Sequence, residues 1–336
     1  MRDYEALMSI STTSVWKHGL IGGPERTLSR HDRRLSDETK IPGGMPVYLR
    51  DDLRHALAGG DGFDQLMAIS GNVYREAPAR RTLRFERAGR GYFLKIHTGV
   101  GWREIFKNLT YARLPVLGAR NEWRGIRRLQ RLGIDTLRIA GYGATGRNPA
   151  RRHSFIITDE ISDAVSLDEF CERWTTRPPR ASGDVRYKRW LIAKVAKITR
   201  TIHASGANHR DLYLCHFLLK SDPDTDRRRP ADSRIYLIDL HRMQIRRRTP
   251  LRWIIKDLAG LYFSTMDMRF TVRDYLRFIS VYRNRPVREI LQGEHGFWRR
   301  VHHRAARVYR AEQRRAHRHA ARSVRPAQGV CRHAIP

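Results

Sequence analysis

The spacing of apolar residues changes once along this chain, near Asp159-Glu160. Before that point the signals are those of strands. Arg81-Thr82-Leu83-Arg84-Phe85-Glu86 alternates polar and apolar, Ala88-Gly89-Arg90-Gly91 reads as a turn, and Tyr92-Phe93-Leu94-Lys95-Ile96 reads as the returning strand. Leu137 to Ala140 and Ser154 to Thr158 add further strands. One helix interrupts them, Asn121 to Leu132, with Trp123, Ile126 and Leu129 three apart, Asn121 as its cap and Gly133 as its stop. After Asp159-Glu160 the helical period dominates. Ser166-Leu167-Asp168-Glu169 opens a helix through Trp174, and Val185 to Ala204 carries Leu191, Val195, Ile198 and Ile202 on one stripe. Phe217–Lys220 and Arg234–Leu240 read as strands, then Leu251–Phe263 and Thr271–Tyr282 as helices. This distribution predicts an α+β fold in two lobes.

The chain divides on composition into a loosely organised extension over 1–44, a strand-rich N-lobe over 45–160, a helical C-lobe over 161–296 and a basic tail over 297–336. The extension is expected to be dispensable. The formal net charge is +32, of which the tail carries +10 from 11 Arg and one acid. A charge of that size calls for a polyanionic partner, whether nucleic acid, membrane surface or acidic glycan. Its spread over the whole chain, without a nucleic-acid-binding signature, argues against nucleic acid. No apolar run approaches the length of a membrane span or a signal core, and Cys171, Cys215 and Cys331 have neither disulfide nor zinc spacing. The expectation is a soluble cytosolic protein held at a membrane surface by charge.

Four charged points stand at element ends in a telling order: Lys95, Glu122, Asp211 in His209-Arg210-Asp211, and Asp239 after Ile235-Tyr236-Leu237-Ile238. That is the order of a protein-kinase-like phosphotransferase. Phosphoryl transfer needs positioning and charge neutralisation more than covalent help. Lys95 is therefore expected to bind nucleotide phosphates, Glu122 to orient Lys95, Asp211 to orient or deprotonate the acceptor hydroxyl, and Asp239 to hold Mg²⁺. His209 and Arg210 support the loop, while Asp257 either anchors that loop or caps a helix. Asp159 and Glu160, at the connector, are further candidates at the nucleotide. No Gly-x-Gly-x-x-Gly precedes Lys95. The turn there is Glu76-Ala77-Pro78-Ala79-Arg80, so Arg80 or Arg81 stands in for glycine amides. His216 takes the place of the metal-binding Asn of protein kinases, although imidazole is a poor Mg²⁺ ligand. Asp239 is followed by Leu240-His241, and no Ala-Pro-Glu segment follows. These departures favour a small-molecule or glycan kinase.

The runs Arg80-Arg81-Thr82-Leu83-Arg84-Phe85-Glu86, Tyr92-Phe93-Leu94-Lys95, Pro115-Val116-Leu117-Gly118-Ala119, Ser154-Phe155-Ile156-Ile157-Thr158, the stretch from His209 to Leu219, Ile238-Asp239-Leu240-His241-Arg242 and Lys256-Asp257-Leu258-x-Gly260-Leu261-Tyr262-Phe263-Ser264 resemble the lipopolysaccharide core heptose(I) kinases over roughly Met45 to Leu291. The resemblance implies a protein-kinase-like fold and ATP- and Mg²⁺-dependent phosphorylation of the 4-hydroxyl of the first inner-core heptose. It also implies Asp211 as the catalytic carboxylate, with Lys95 and Asp239 serving ATP and metal. The expected partner is the anionic inner-core glycolipid at the cytoplasmic face of the inner membrane. A same-fold kinase acting on another small molecule or a protein is the alternative reading, and a nucleic-acid-binding protein the distant one.

Overall fold

A computed structural model describes residues 47–323 apart from 58–61, 78, 100, 104–105, 107–117, 147, 149 and 222–229. The expected extension over 1–44 and the end of the tail lie outside the described residues.

The N-terminal part is built on one antiparallel sheet of six strands. These are β1 (Val47–Leu49), β2 (Asn72–Ala77), β3 (Arg80–Arg87), β4 (Arg90–His97), β5 (Ile139–Thr145) and β6 (His153–Asp159), in spatial order β1-β5-β6-β4-β3-β2. β3 and β4 form a hairpin whose two turn residues, Ala88 and Gly89, both have positive φ, the geometry that matches strand twist in a two-residue loop. Leu83, Phe85, Leu94 and Ile96 bury one face of that hairpin with Phe155 and Ile157. Short helices α1 (Asp51–Ala56) and α2 (Phe63–Met67) supply Leu53 and Leu66 to the same cluster.

Helix α3 (Arg120–Arg131) buries Trp123, Ile126 and Leu129, the stripe expected from their spacing. It begins one residue before Asn121, so its N-cap is Ala119 and Asn121 lies inside the helix rather than capping it. Gly133, with φ of 67°, terminates it as expected. Gly125 is packed so closely on the turn after β10 that an added Cβ would lie 2.8 Å from Leu240 Cβ. This contact presses α3 against the segment that carries Asp239.

The C-terminal part is helical around small sheets. Its strands are β7 (Ala164–Ser166), β8 (Ala207–Asn208), β9 (Phe217–Ser221), β10 (Ser233–Leu237) and β11 (Gln244–Ile245). β10-β9-β7 form one sheet and β11-β8 another. Ser166 caps α4 (Leu167–Thr176) by accepting from the Glu169 amide. Helix α5 (Ser182–Ala204) buries Leu191, Val195, Ile198 and Ile202. α6 (Leu251–Phe263), α7 (Val272–Arg283) and α8 (Val287–Ser323, interrupted at Glu294) complete the layer around a second core. Hydrogen bonds tie the parts together: the Thr136 hydroxyl donates to the Leu237 carbonyl at 2.6 Å, and the Leu237 amide donates to the Asp135 carbonyl at 2.9 Å.

The architecture is the expected α+β fold, strand-rich then helical. The boundary drawn at 297 falls inside α8. There Phe297, Val301 and Ala305 are buried at four-residue spacing, so the described part of the expected basic C-terminal helix or tail packs into the C-terminal core. Among the described residues, no helix is long and apolar enough to cross a membrane.

Candidate active site

The segment between β8 and β9 carries His209-Arg210-Asp211 and is fixed from below. Asp257, wholly buried on α6, accepts the His209 amide at 2.7 Å and the Arg210 amide at 2.8 Å, one on each carboxylate oxygen. It therefore acts as the anchor rather than as a helix cap. Arg210 has φ of 77°, a costly backbone for a side chain with a Cβ, and those two bonds hold it there. The buried His209 ring donates from Nε2 to the Ile238 carbonyl at 2.9 Å, since a carbonyl can only accept. Burial pushes its pKa down, so the tether is a neutral imidazole joining the loop to the segment that ends in Asp239.

Asp211 faces two cations. Arg242 Nη1 lies 3.0 and 2.8 Å from its two oxygens, and Lys256 Nζ lies 3.2 Å from Oδ1. Lys256 also donates to the Arg210 carbonyl. Burial opposes ionisation of Asp211, yet the charges of Lys256 and Arg242 outweigh it and hold the carboxyl below its usual range. Lys256 is itself pushed down by burial.

Asp239 lies two residues beyond β10 in left-handed backbone, with φ of 59°. His241 Nδ1 is 2.5 Å from Oδ1, His216 Nε2 3.5 Å from Oδ2, Lys95 Nζ 3.7 Å from Oδ1 and Arg80 Nη2 3.8 Å from Oδ1. Burial again opposes ionisation, and the His241 hydrogen bond with the Lys95 charge overcomes it, leaving the pKa far below normal. Lys95 Nζ is 2.5 Å from Oε1 of the fully buried Glu122, whose Oε2 has no partner among the described residues. Strand β4, helix α3 and the turn after β10 thus converge on one ammonium group.

Lys95, Glu122, Arg80, His216, Asp211 and Asp239 are therefore brought together. Arg81 is not, because strand alternation puts it on the face of Leu83, opposite Arg80. Asp159 and Glu160 also have other partners. Asp159 takes two bonds from Arg50, at 3.0 and 2.7 Å, and Glu160 takes two from Arg84, both at 2.7 Å. These carboxylates brace the connector against the sheet. His241, Arg242 and Lys256 belong to this site without a motif of their own, and their one signal in the sequence is that each stands within three residues of Asp239 or Asp257.

Among the described residues, no group of three or more His, Cys, Asp or Glu is arranged to hold a metal ion. That is compatible with Mg²⁺, which binds through one or two carboxylates with the remaining positions filled by phosphate and water. The ionised Asp239 fits that requirement. The Asp211 carbonyl accepts from His216 Nδ1 at 2.7 Å, so in the neutral ring the Nε2 lone pair is directed toward Asp239.

The model of the lipopolysaccharide kinase (Kdo/WaaP) family matches residues 64–282. The lipopolysaccharide core heptose(I) kinase WaaP of Pseudomonas aeruginosa is 47% identical over 270 residues, covering 80% of this chain and 98% of that protein. The Escherichia coli K12 protein of the same name is 45% identical over 269 residues, covering 80% and 99%. A solved structure of WaaP in complex with acyl carrier protein superposes with a TM-score of 0.66 at 43% identity, covering 79% of this chain and all of the other. With its described residues folding as that structure does and its charged constellation in the order of a phosphotransferase, this chain belongs to the lipopolysaccharide kinase (Kdo/WaaP) family and is a kinase.

Proposed function

We propose that the chain transfers the γ-phosphoryl group of ATP to the 4-hydroxyl of the first heptose of the lipopolysaccharide inner core. The observation that carries this is the convergence of Lys95, Glu122 and Asp239, with Asp211 held ionised on the loop beside them. Lys95 meets the nucleotide phosphates, fixed in direction by Glu122, and Arg80 adds charge where other kinases use glycine amides. Asp239, with His216 nearby, would hold Mg²⁺, which would supply charge neutralisation at the phosphates. Asp211 orients the acceptor hydroxyl. Its depressed pKa makes it a weak base, which suits a transition state in which proton removal comes late. The N-terminal sheet then serves the nucleotide and the helical part serves catalysis.

The names of the relatives support heptose as acceptor. The net charge of +32 supports a peripheral position on the anionic cytoplasmic face of the inner membrane. A solved relative holds acyl carrier protein, and we carry that partner over to this chain as part of the same reading. The deciding assay uses purified protein, labelled ATP and Mg²⁺, and offers heptosylated lipid A beside a generic protein substrate. Label on the heptose 4-position is expected. Label on the protein alone would transfer the assignment to the alternative, a kinase of the same fold with another acceptor.

A further inference from the structure

Arginines crowd around the His209-Arg210-Asp211 loop. Arg210 and Arg252 both place their guanidinium carbons over the Trp253 ring, at 5.0 and 5.3 Å from its centroid. Arg246 reaches the same loop through Asn208, donating to its Oδ1 at 2.8 Å. Arg242 and Lys256 stand on Asp211 itself. Among the described residues, no carboxylate pairs with Arg210, Arg246 or Arg252. Arg210 is only 7% exposed, and its Nε has no partner among the described residues. The charges also work against one another: burial and then Arg242 depress Arg210, outweighing the opposing pull of Asp211 and Asp257, while burial and then Arg252 depress Arg246.

Helix α6 adds to this field. Its first turn holds no acid and no side chain caps it, so the positive end of its dipole lies at Arg252 and Trp253. Like charges held this close in a folded protein are costly unless an anion answers them. A planar guanidinium spread over an indole keeps its donor edge free for a carboxylate or phosphate.

We propose that this cluster is the acceptor subsite, binding an anionic group of the glycolipid, carboxylate or phosphate, next to the hydroxyl that Asp211 orients. The inference rests on the reading given under Proposed function and deepens it. Binding energy from an anion that takes no part in the transfer fixes the neighbouring hydroxyl at Asp211, so acceptors without the anion are selected against. Arg252 and Arg246 then set specificity, while Arg210 and Trp253 form the floor.

The test is equilibrium binding of heptosylated lipid A to the full chain, without nucleotide, for wild type, Arg246→Gln, Arg252→Gln, Arg252→Lys and the control Arg87→Gln. Arg87 is an exposed residue of β3. Each Gln variant of the cluster should weaken binding about tenfold. Arg252→Lys should recover part of that loss, and the control should bind like wild type. ATP affinity should not follow. Glycolipid stripped of its phosphates, or separately of its acidic sugars, identifies the anion, because removing the right one erases the difference between wild type and variants. Wild-type affinity in both Gln variants, or a loss equal to that of the control, overturns the proposal. Phosphate transfer by the wild type, measured alongside, judges the functional reading separately. Cluster-sensitive binding without transfer to heptose would overturn that reading and leave the subsite standing. Transfer with cluster-insensitive binding would do the reverse.

Discussion

Asp257 holds Arg210 by its backbone amide at 2.8 Å, fixing in left-handed conformation the residue directly before Asp211. The second oxygen takes the His209 amide at 2.7 Å and also faces His203 Nε2 at 3.4 Å. Asp257→Ala removes a charged acceptor from two buried amides, each such bond being worth about 1.5–3 kcal/mol. A loss of about 3 kcal/mol in denaturant unfolding is expected, with turnover falling because Asp211 is no longer placed. Asp257→Asn keeps one acceptor oxygen and should lie between. An unchanged unfolding midpoint for the alanine variant would show that the loop is held by something else.

Lys95 and Glu122 present a different balance. Glu122 is fully buried with Lys95 2.5 Å away, so Lys95→Met leaves an unanswered carboxylate in the interior. Removing one member of a buried pair costs about 3–5 kcal/mol, whereas replacing both with apolar or neutral groups is often near neutral. Lys95→Met should therefore be strongly destabilised, and the double variant with Glu122→Gln should regain most of the lost stability. Neither should regain nucleotide affinity. Recovery of ATP affinity by the double variant would remove Lys95 from the phosphate site.

The order of charged residues was legible because each stands at an element end, and element ends are where strand and helix periods break. Lys95 lies near the end of β4, Glu122 in the first turn of α3 and Asp239 just after β10. The partners of Asp211 were not legible. In a chain with 66 Lys and Arg, nothing in sequence singles out Arg242 or Lys256, and only the fold brings α6 under the loop. The partners of Asp159 and Glu160 were hidden for the same reason: Arg50 and Arg84 lie 109 and 76 positions away. The buried stripe of Phe297, Val301 and Ala305 is diluted by arginine in the sequence and emerges only when α8 is seen packed on α6.

Asp211→Ala removes the carboxylate that orients the acceptor and leaves Arg242 and Lys256 facing one another. A positioned acid or base contributes about 10²- to 10⁴-fold, so turnover on heptosylated lipid A should fall within that range. Thermal unfolding should shift by only a few degrees, since the loop backbone remains tied to Asp257. Near-wild-type turnover by a folded variant would sink the assignment.

His97 gives the site a pH dependence that has nothing to do with its carboxylates. It is 5% exposed, and its Nε2 has no partner among the described residues. Burial, with the charges of Arg80, His241 and Lys95, pushes its pKa from 6.5 down to about 3. The folded chain thus keeps this ring neutral well into acid, whereas the unfolded chain protonates it below about pH 6.5. Between those values unfolding takes up a proton, so stability falls as pH falls, with a slope approaching about 1.4 kcal/mol per pH unit. His97→Asn lacks that proton uptake. Its unfolding free energy should decline less than that of the wild type between about pH 7 and pH 5, the difference reaching about 2 kcal/mol. Parallel curves for the two proteins over that range would mean that His97 is already protonated in the folded chain, charged in the middle of the Arg80 and Lys95 cluster.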